Sequence, residues 1–253
     1  MTDPTYTLKI DLNRDFDFTN PDEDLSARLL AAHWFNGFGG LYDPLCADSA
    51  ADFLLDNADG RLSPERAGSV AGLDKGKTVT LDLTSGLTTR MWTGWVDRPA
   101  PEADRFGAQT TRLYCDSWPA RAARSKGWYV PMQRNKRVDQ ILPELIDRSG
   151  CYPPGLMGRV WLLDVPGMSE LDVTTYLSDT SAYLTAETGG LTVKVVGDKW
   201  NEQTSLLEAT REVIEREGLG RLYLGRDGKL NFWNRDHLFL KTALDQTFDD
   251  SHP

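Results

Sequence analysis

The sequence predicts an α+β protein: a small antiparallel β-barrel followed by a smaller α+β domain with two helices and a β-hairpin. Three observations carry this. Alternating apolar and polar segments, punctuated by Asn, Asp, Gly and Pro, occupy residues 1–118. Beyond Arg137 the apolar period changes from that of a strand to that of a helix. Near the end, a second helical pattern runs into a strand–turn–strand signal.

Thr5 to Leu12 sets Tyr6, Leu8, Ile10 and Leu12 on one face against Thr5, Thr7, Lys9 and Asp11 on the other. An acidic loop, Asp11 to Asp24, follows. Ser26 to Phe35 is open between helix and strand, because its Ala and Leu content favours helix. Asn36-Gly37-Phe38-Gly39-Gly40 ends it in either case. Ala50 to Leu55, Thr78 to Leu83, Thr88 to Val96 and Gln109 to Asp116 are four further strands, with Gly86 and Pro99-Ala100-Pro101 as breaks. Between the first two lies Asp56-Asn57-Ala58-Asp59-Gly60-Arg61-Leu62-Ser63-Pro64, a tight turn closing a strand.

Residues 119–136 read as a basic connector. Val138, Ile141, Leu142, Leu145 and Ile146 then form one apolar stripe, with Asn135 as a candidate N-cap and Gly150 as the stop. Pro143 should bend or shorten the first turns of this helix. Short strands are expected at Val160 to Asp164 and Leu191 to Val196. A second helix spans Thr204 to Glu217, opened by the Ser205/Glu208 capping box and closed by Gly218. Arg221 to Gly225, the turn Arg226-Asp227-Gly228, and Lys229 to Trp233 make a hairpin. The division is therefore a barrel over 1–118, a connector over 119–136, an α+β domain over 137–244 and a tail over 245–253.

Composition narrows the function. The chain has 253 residues, 40% of them hydrophobic, and a formal charge of −10. That balance opposes a nucleic-acid-binding surface, which needs Lys and Arg against phosphates, but suits a wall along which DNA slides without sticking. Its three cysteines, Cys46, Cys115 and Cys151, are scattered and read as buried small hydrophobes. No apolar run approaches the length of a membrane span, and no secretory signal is visible. Synthesis in the cytosol is expected.

Few residues suggest chemistry. Ala71 to Thr78 resembles a loosened phosphate loop, yet alternating Val79, Leu81 and Leu83 follow it where a helix is required, so it reads as a turn into a strand. Asp11, Asn13, Asp15, Asp17, Thr19 and Asp22 fall at the spacing of a calcium loop. Phe16 stands where that loop wants Gly, and the last ligand is Asp instead of Glu; these departures favour a solvated acidic loop. There is no GxSxG, no HExxH and no paired Cys and His, so no cofactor and no enzyme activity are expected. His33 reads as structural, and His237 as exposed. Of eight tryptophans, Trp34, Trp92, Trp95, Trp161 and Trp233 lie in strand patterns and suit packing. Trp118, Trp128 and Trp200 lie in connectors, and are the candidates for contact with a neighbouring subunit. The tryptophans also raise a carbohydrate-binding alternative, and the many carboxylates a cell-wall hydrolase.

Three pieces in order resemble the phage tail hub and tail-tip family: the Phe53 to Pro64 turn, the Lys75 to Val96 stretch with Gly94-Trp95-Val96-Asp97, and Ser205 to Arg235 with its helix and hairpin. The acidic Asp11 to Asp24 loop resembles that family's Asp-rich segment, with Phe16 in place of its usual Gly. The resemblance implies a tail-tube-like β-barrel, a strand over Ser26 to Phe35, and a structural role in a tail tip, baseplate hub or related injection machine. It further implies a virion location and a homo-oligomer, a trimer, capping the tube. The implied partners are the tail tube protein, a distal tail or spike protein and the tape measure protein, with DNA passing through the lumen. The family carries two such barrels per chain, and only one is visible here. Asp245 to Asp250 resembles the approach to a second, which either lies beyond Pro253 or comes from another polypeptide.

Overall fold

A computed structural model describes residues 4–15, 17–40, 43–46, 50–103, 109–127, 130–155 and 180–237. The first element is a six-stranded antiparallel sheet made of β1 (Thr5–Asp11), β2 (Leu29–Trp34), β3 (Ala51–Asp56), β4 (Thr78–Ser85), β5 (Leu87–Ala103) and β6 (Gln109–Asp116). Its spatial order is β1-β4-β5-β6-β3-β2. The inward residues of each strand, among them Leu8, Ile10, Phe53, Leu55, Leu81, Trp92 and Leu113, bury together as one core. Ser26 to Phe35 is thus a strand, after one 3-10 turn at Ser26–Arg28.

The sheet is curled, but its end strands form no ladder with each other. The segment ahead of β2 meets β1 at one isolated bridge, from Lys9 to Asp24. Beside it the Leu25 amide donates to the Leu8 carbonyl at 2.9 Å, and the Leu8 amide to Ser26 Oγ at 3.0 Å. The expected closed barrel is therefore an open one over the described residues. Bulges at Leu29/Ala31, Leu81/Asp82 and Val96/Arg98 bend the strands and supply the curl.

Pro99 and Pro101 do not break β5, contrary to the sequence reading. β4 accompanies β5 only from Leu87 to Trp95, so among the described residues both prolines lie where β6 is the one paired neighbour. A residue without an N–H costs nothing on the open side of a strand.

Behind the sheet, α1 (Trp118–Arg124), α2 (Val138–Ser149) and α3 (Leu206–Glu215) pack with the three-stranded sheet of β8 (Leu184–Ala186), β10 (Arg221–Leu224) and β11 (Leu230–Trp233), in the order β10-β11-β8. A two-stranded ribbon pairs β7 (Gln133–Arg137) with β9 (Thr192–Val196). The helix α1 was not foreseen; Ser117 precedes it and Pro119 occupies its first turn. α2 starts at Arg137, whose amide bonds Gln140 Oε1 at 3.0 Å, and not at Asn135, which lies in β7 at φ 51°. Helix α2 runs through Pro143 and ends on Gly150 at φ 63°. The α3 capping box and the β10–β11 hairpin stand as read. The expected strand at Val160 to Asp164 lies outside the described residues.

The two units share side chains. Trp92 faces the core of the curled sheet, whereas Trp95, three residues on and hence on the other face, is buried with α1 and α2. Arg121 of α1 stacks on the Trp95 ring at 3.7 Å. Thr93 Oγ1 donates to the Arg226 carbonyl of the hairpin turn at 2.8 Å. Residues 43–46 cross over as well: Leu222 donates to the Pro44 carbonyl at 2.8 Å and Cys46 to the Leu222 carbonyl at 2.9 Å.

Candidate functional site

The Asn57 turn organises one corner of the curled sheet. Asn57 is buried; its Oδ1 accepts from the Leu62 amide at 2.8 Å and its Nδ2 donates to Ser63 Oγ at 2.9 Å. Gly60 takes φ 73°, a left-handed conformation that glycine adopts without strain. Asp59 receives both arms of Arg28, at 2.9 and 2.6 Å, and Arg61 reaches back to Asp22 at 2.9 Å. The Arg28 hydrogen bond and the Arg61 amide hold the Asp59 carboxyl down to about 2. A turn that looks like loop chemistry in sequence is thus a clamp: it ties the acidic loop and the start of β2 to the end of β3.

The acidic loop carries several internal hydrogen bonds. Asp11 is buried at the end of β1. Asn13 Nδ2 donates to Asp15 Oδ2 at 2.8 Å, the Asp17 amide donates to Asp15 Oδ1 at 2.8 Å, and Asp22 takes Arg61. No three His, Cys, Asp or Glu side chains among the described residues are grouped to hold a metal ion. The buried groups nearby are Glu23, which accepts from the Leu12 amide at 3.1 Å, and Lys77, which donates to the Leu12 carbonyl. Burial pushes the Glu23 carboxyl up and the Lys77 ammonium down. Lys77 therefore serves as a structural pin, and Ala71 to Thr78 leads into β4 as a turn.

The connector tryptophans divide. Trp118 is buried, with Nε1 donating to the Cys151 carbonyl at 2.8 Å, so it packs within the chain and presents nothing to a neighbour. Trp128 lies outside the described residues. Trp200 is half-buried, its Nε1 donating to Glu212 at 2.9 Å. It lines a cleft of about 410 Å³ with Gly127 and Val130, the residues described on either side of position 128, and with Met132, Asp198 and Glu202. Leu206 and Gly127 donate to the carbonyls of Ser125 and Glu202, at 3.0 and 3.1 Å, which brings the two connectors together.

His237 is not exposed as expected: it pairs with Glu187 and stacks on Trp233 at 4.1 Å. His33 lies exposed on β2. All three cysteines are free thiols. Burial pushes the Cys151 thiol up to about 11 and raises Cys115 well above the usual thiol range, leaving neither reactive at neutral pH.

The surface is where the remaining features gather. β1 and β2 are the end strands of the sheet, and beside them Tyr6, Leu30 and Phe35 are exposed. The β7–β9 ribbon exposes Met132, Leu191 and Val195. These are apolar side chains standing beside sheet edges.

Among solved structures, the chain is similar to the 43 kDa tail protein of prophage MuSo2 from Shewanella oneidensis, with a TM-score of 0.52 and 13% identity over 90% of this chain and 52% of that one. It is also similar to the tail protein from Neisseria meningitidis MC58, with a TM-score of 0.51 and 9% identity over 90% of this chain and 50% of the other. The chain therefore spans about half the length of each. No family model and no curated protein sequence matches it.

Proposed function

We propose that this chain is a structural subunit of a phage tail tip or baseplate hub, or of a related injection machine, forming a ring that caps the tail tube and adapts it to the tip or spike. The observation that carries the reading is the curled sheet with its backing unit, matched over 90% of the chain by two tail proteins. The end strands β1 and β2, which form no ladder with each other, support it, since pairing between copies would cover what remains of their edges. The charge of −10 supports a lumen that DNA crosses without binding.

In this reading residues 1–118 are the tube-like unit, 119–136 the connector, 137–244 the hub unit, and 245–253 a tail. The ring is a trimer in the virion tail. Its partners are the tail tube protein, a distal tail or spike protein and the tape measure protein. The role is mechanical, and the chain carries no catalysis or cofactor.

Imaging of the parent particle by electron cryomicroscopy tests this. The expected result is density for this chain in a ring at the end of the tail tube, and particles lacking a functional tip when the gene is deleted. Location in the capsid, or absence from the particle, would overturn it.

A further inference from the structure

The longest strand of the sheet outruns one of its neighbours. β5 keeps β4 beside it as far as Trp95. Val96 still uses both backbone groups on that side: its amide donates to the Lys77 carbonyl at 2.9 Å and its carbonyl accepts from the Gly76 amide at 2.8 Å. A bulge at Asp97 follows. From Arg98 to Ala103, β5 pairs with β6 alone among the described residues, so the other side of this stretch is a strand edge. The register tells which residues face that edge. The Asn57 amide donates to the Gln109 carbonyl at 2.9 Å, which aims the backbone of Gln109 away from β5. Residues two apart face the same way in an antiparallel ladder, so Thr111 and Leu113 also turn to β3. Their partners across the β5–β6 ladder are Pro101 and Pro99, which therefore sit in non-hydrogen-bonded pairs and direct their backbone groups outward. Both outward positions from Arg98 to Glu102 are thus prolines, with a carbonyl to offer and no N–H.

We propose that Pro99 and Pro101 close the distal edge of β5 to strand addition, so that a second copy of this chain cannot extend the sheet there. An added strand needs a donor at every outward position to meet its carbonyls. Here two successive positions supply none, and each proline ring stands where the amide hydrogen would be. Prolines that served only to stiffen the chain could fall anywhere along it. Both fall on the outward set, and the residue between them, Ala100, keeps the amide that the β6 ladder requires. The end strand β2 is built differently. The Phe35 amide donates to the Ala50 carbonyl at 3.0 Å, so His33 shares its direction, and Ala32 and Trp34 face away from β3 with donor and acceptor both intact. Edge pairing is thus denied at β5 by chemistry, and the backbone of β2 carries no such block.

Restoring the two amides tests this. Pro99→Thr with Pro101→Thr supplies both donors on polar, strand-compatible side chains. Sedimentation velocity of the 253-residue chain over a concentration series should show self-association about tenfold tighter than the parent's, or more, from the added ladder hydrogen bonds. Hydrogen exchange across residues 97–103 should slow in the associated form. Ala100→Thr with Glu102→Thr places the same side chains on the same strand without a new outward donor, and should associate as the parent does. Association of the proline variant no tighter than the parent's overturns the proposal. So does tighter association with freely exchanging amides, or equal tightening in the Ala100/Glu102 control, since either points to surface contact without strand pairing. A proline variant that no longer unfolds cooperatively in urea also overturns it, because an outward-facing position accepts threonine without strain. All of these outcomes concern the isolated chain, and imaging of the particle decides the ring reading separately.

Discussion

Tyr6 and Trp34, from the two end strands of a six-stranded sheet, meet edge to face with ring centroids 6.0 Å apart. In a flat sheet those strands would be separated by five gaps of roughly 4.8 Å, about 24 Å in all. The contact therefore measures the curl directly, and it ties together two edges that lack a ladder. An edge-to-face aromatic pair contributes about 0.5–1.5 kcal/mol beyond the area it buries. Urea unfolding of Tyr6→Ala, Trp34→Ala and the double variant should show a coupling of that size. Strictly additive losses would mean that the rings merely lie near each other.

The Asn57 clamp gives a second expectation. In Asn57→Ala the buried Leu62 amide loses its acceptor, and Ser63 loses a donor. Leaving a buried donor unmet costs about 1–3 kcal/mol. Chemical denaturation should register this as a lower midpoint with an unchanged slope. A loss no larger than that of an exposed alanine substitution, such as Glu65→Ala, would show that the turn holds without its asparagine.

The Arg28–Asp59 pair predicts a pH dependence. Arg28 hydrogen bonds lower the Asp59 carboxyl to about 2, from an unfolded value of about 3.9. Its folded form therefore binds the proton less readily. The stabilisation is fully present above about pH 4 and is lost as pH falls towards 2. Because the pair is exposed to solvent, its worth is about 0.2–1 kcal/mol, diminishing with salt. Comparing Asp59→Asn with the parent chain at pH 7 and near pH 2 should show a difference at the higher pH that is much reduced at the lower one.

Gly94 explains why the Gly-Trp-Val-Asp strand needs its glycine. A Cβ there would lie 2.5 Å from the Asp116 carbonyl oxygen and 2.3 Å from the Trp92 ring. One neighbour is backbone in the paired strand and the other is a buried indole, so neither yields. Gly94→Ala should destabilise by about 1–3 kcal/mol or more, through overpacking. Recovery of soluble, cooperatively folding protein at the parent's stability would contradict this placement of β5 against β6.

The alternation of β1, β3, β4 and β6, the Ser205 capping box and the Asp227-Gly228 hairpin are legible because each depends on neighbours within one or two turns of chain. Three misreadings share the opposite cause. Pro99 and Pro101 look like breaks until β4 is seen to stop beside Trp95. Trp118-Pro119 looks like an exposed connector until α1 turns the indole inward onto the Cys151 carbonyl. A signal for α1 was present in Ser117 followed by a first-turn proline and an Ala/Arg run, the usual opening of a helix. His237 looks solvent-exposed until Glu187, 50 residues away, is brought beside it.

Taken alone, the sequence determined β1, β3, β4 and β6, helices α2 and α3 with the β10–β11 hairpin, the turn chemistry at Asn57 and Gly60, and the acidic balance of the chain, since these follow from local sterics and from composition. Only the tertiary structure decided that the sheet curls without zipping shut, that Trp95 belongs to the backing unit, and that Trp200 shares a cleft with Gly127 and Val130. Those outcomes turn on which distant segments lie against one another, and a one-dimensional pattern carries no term for the partner on the far side of a strand.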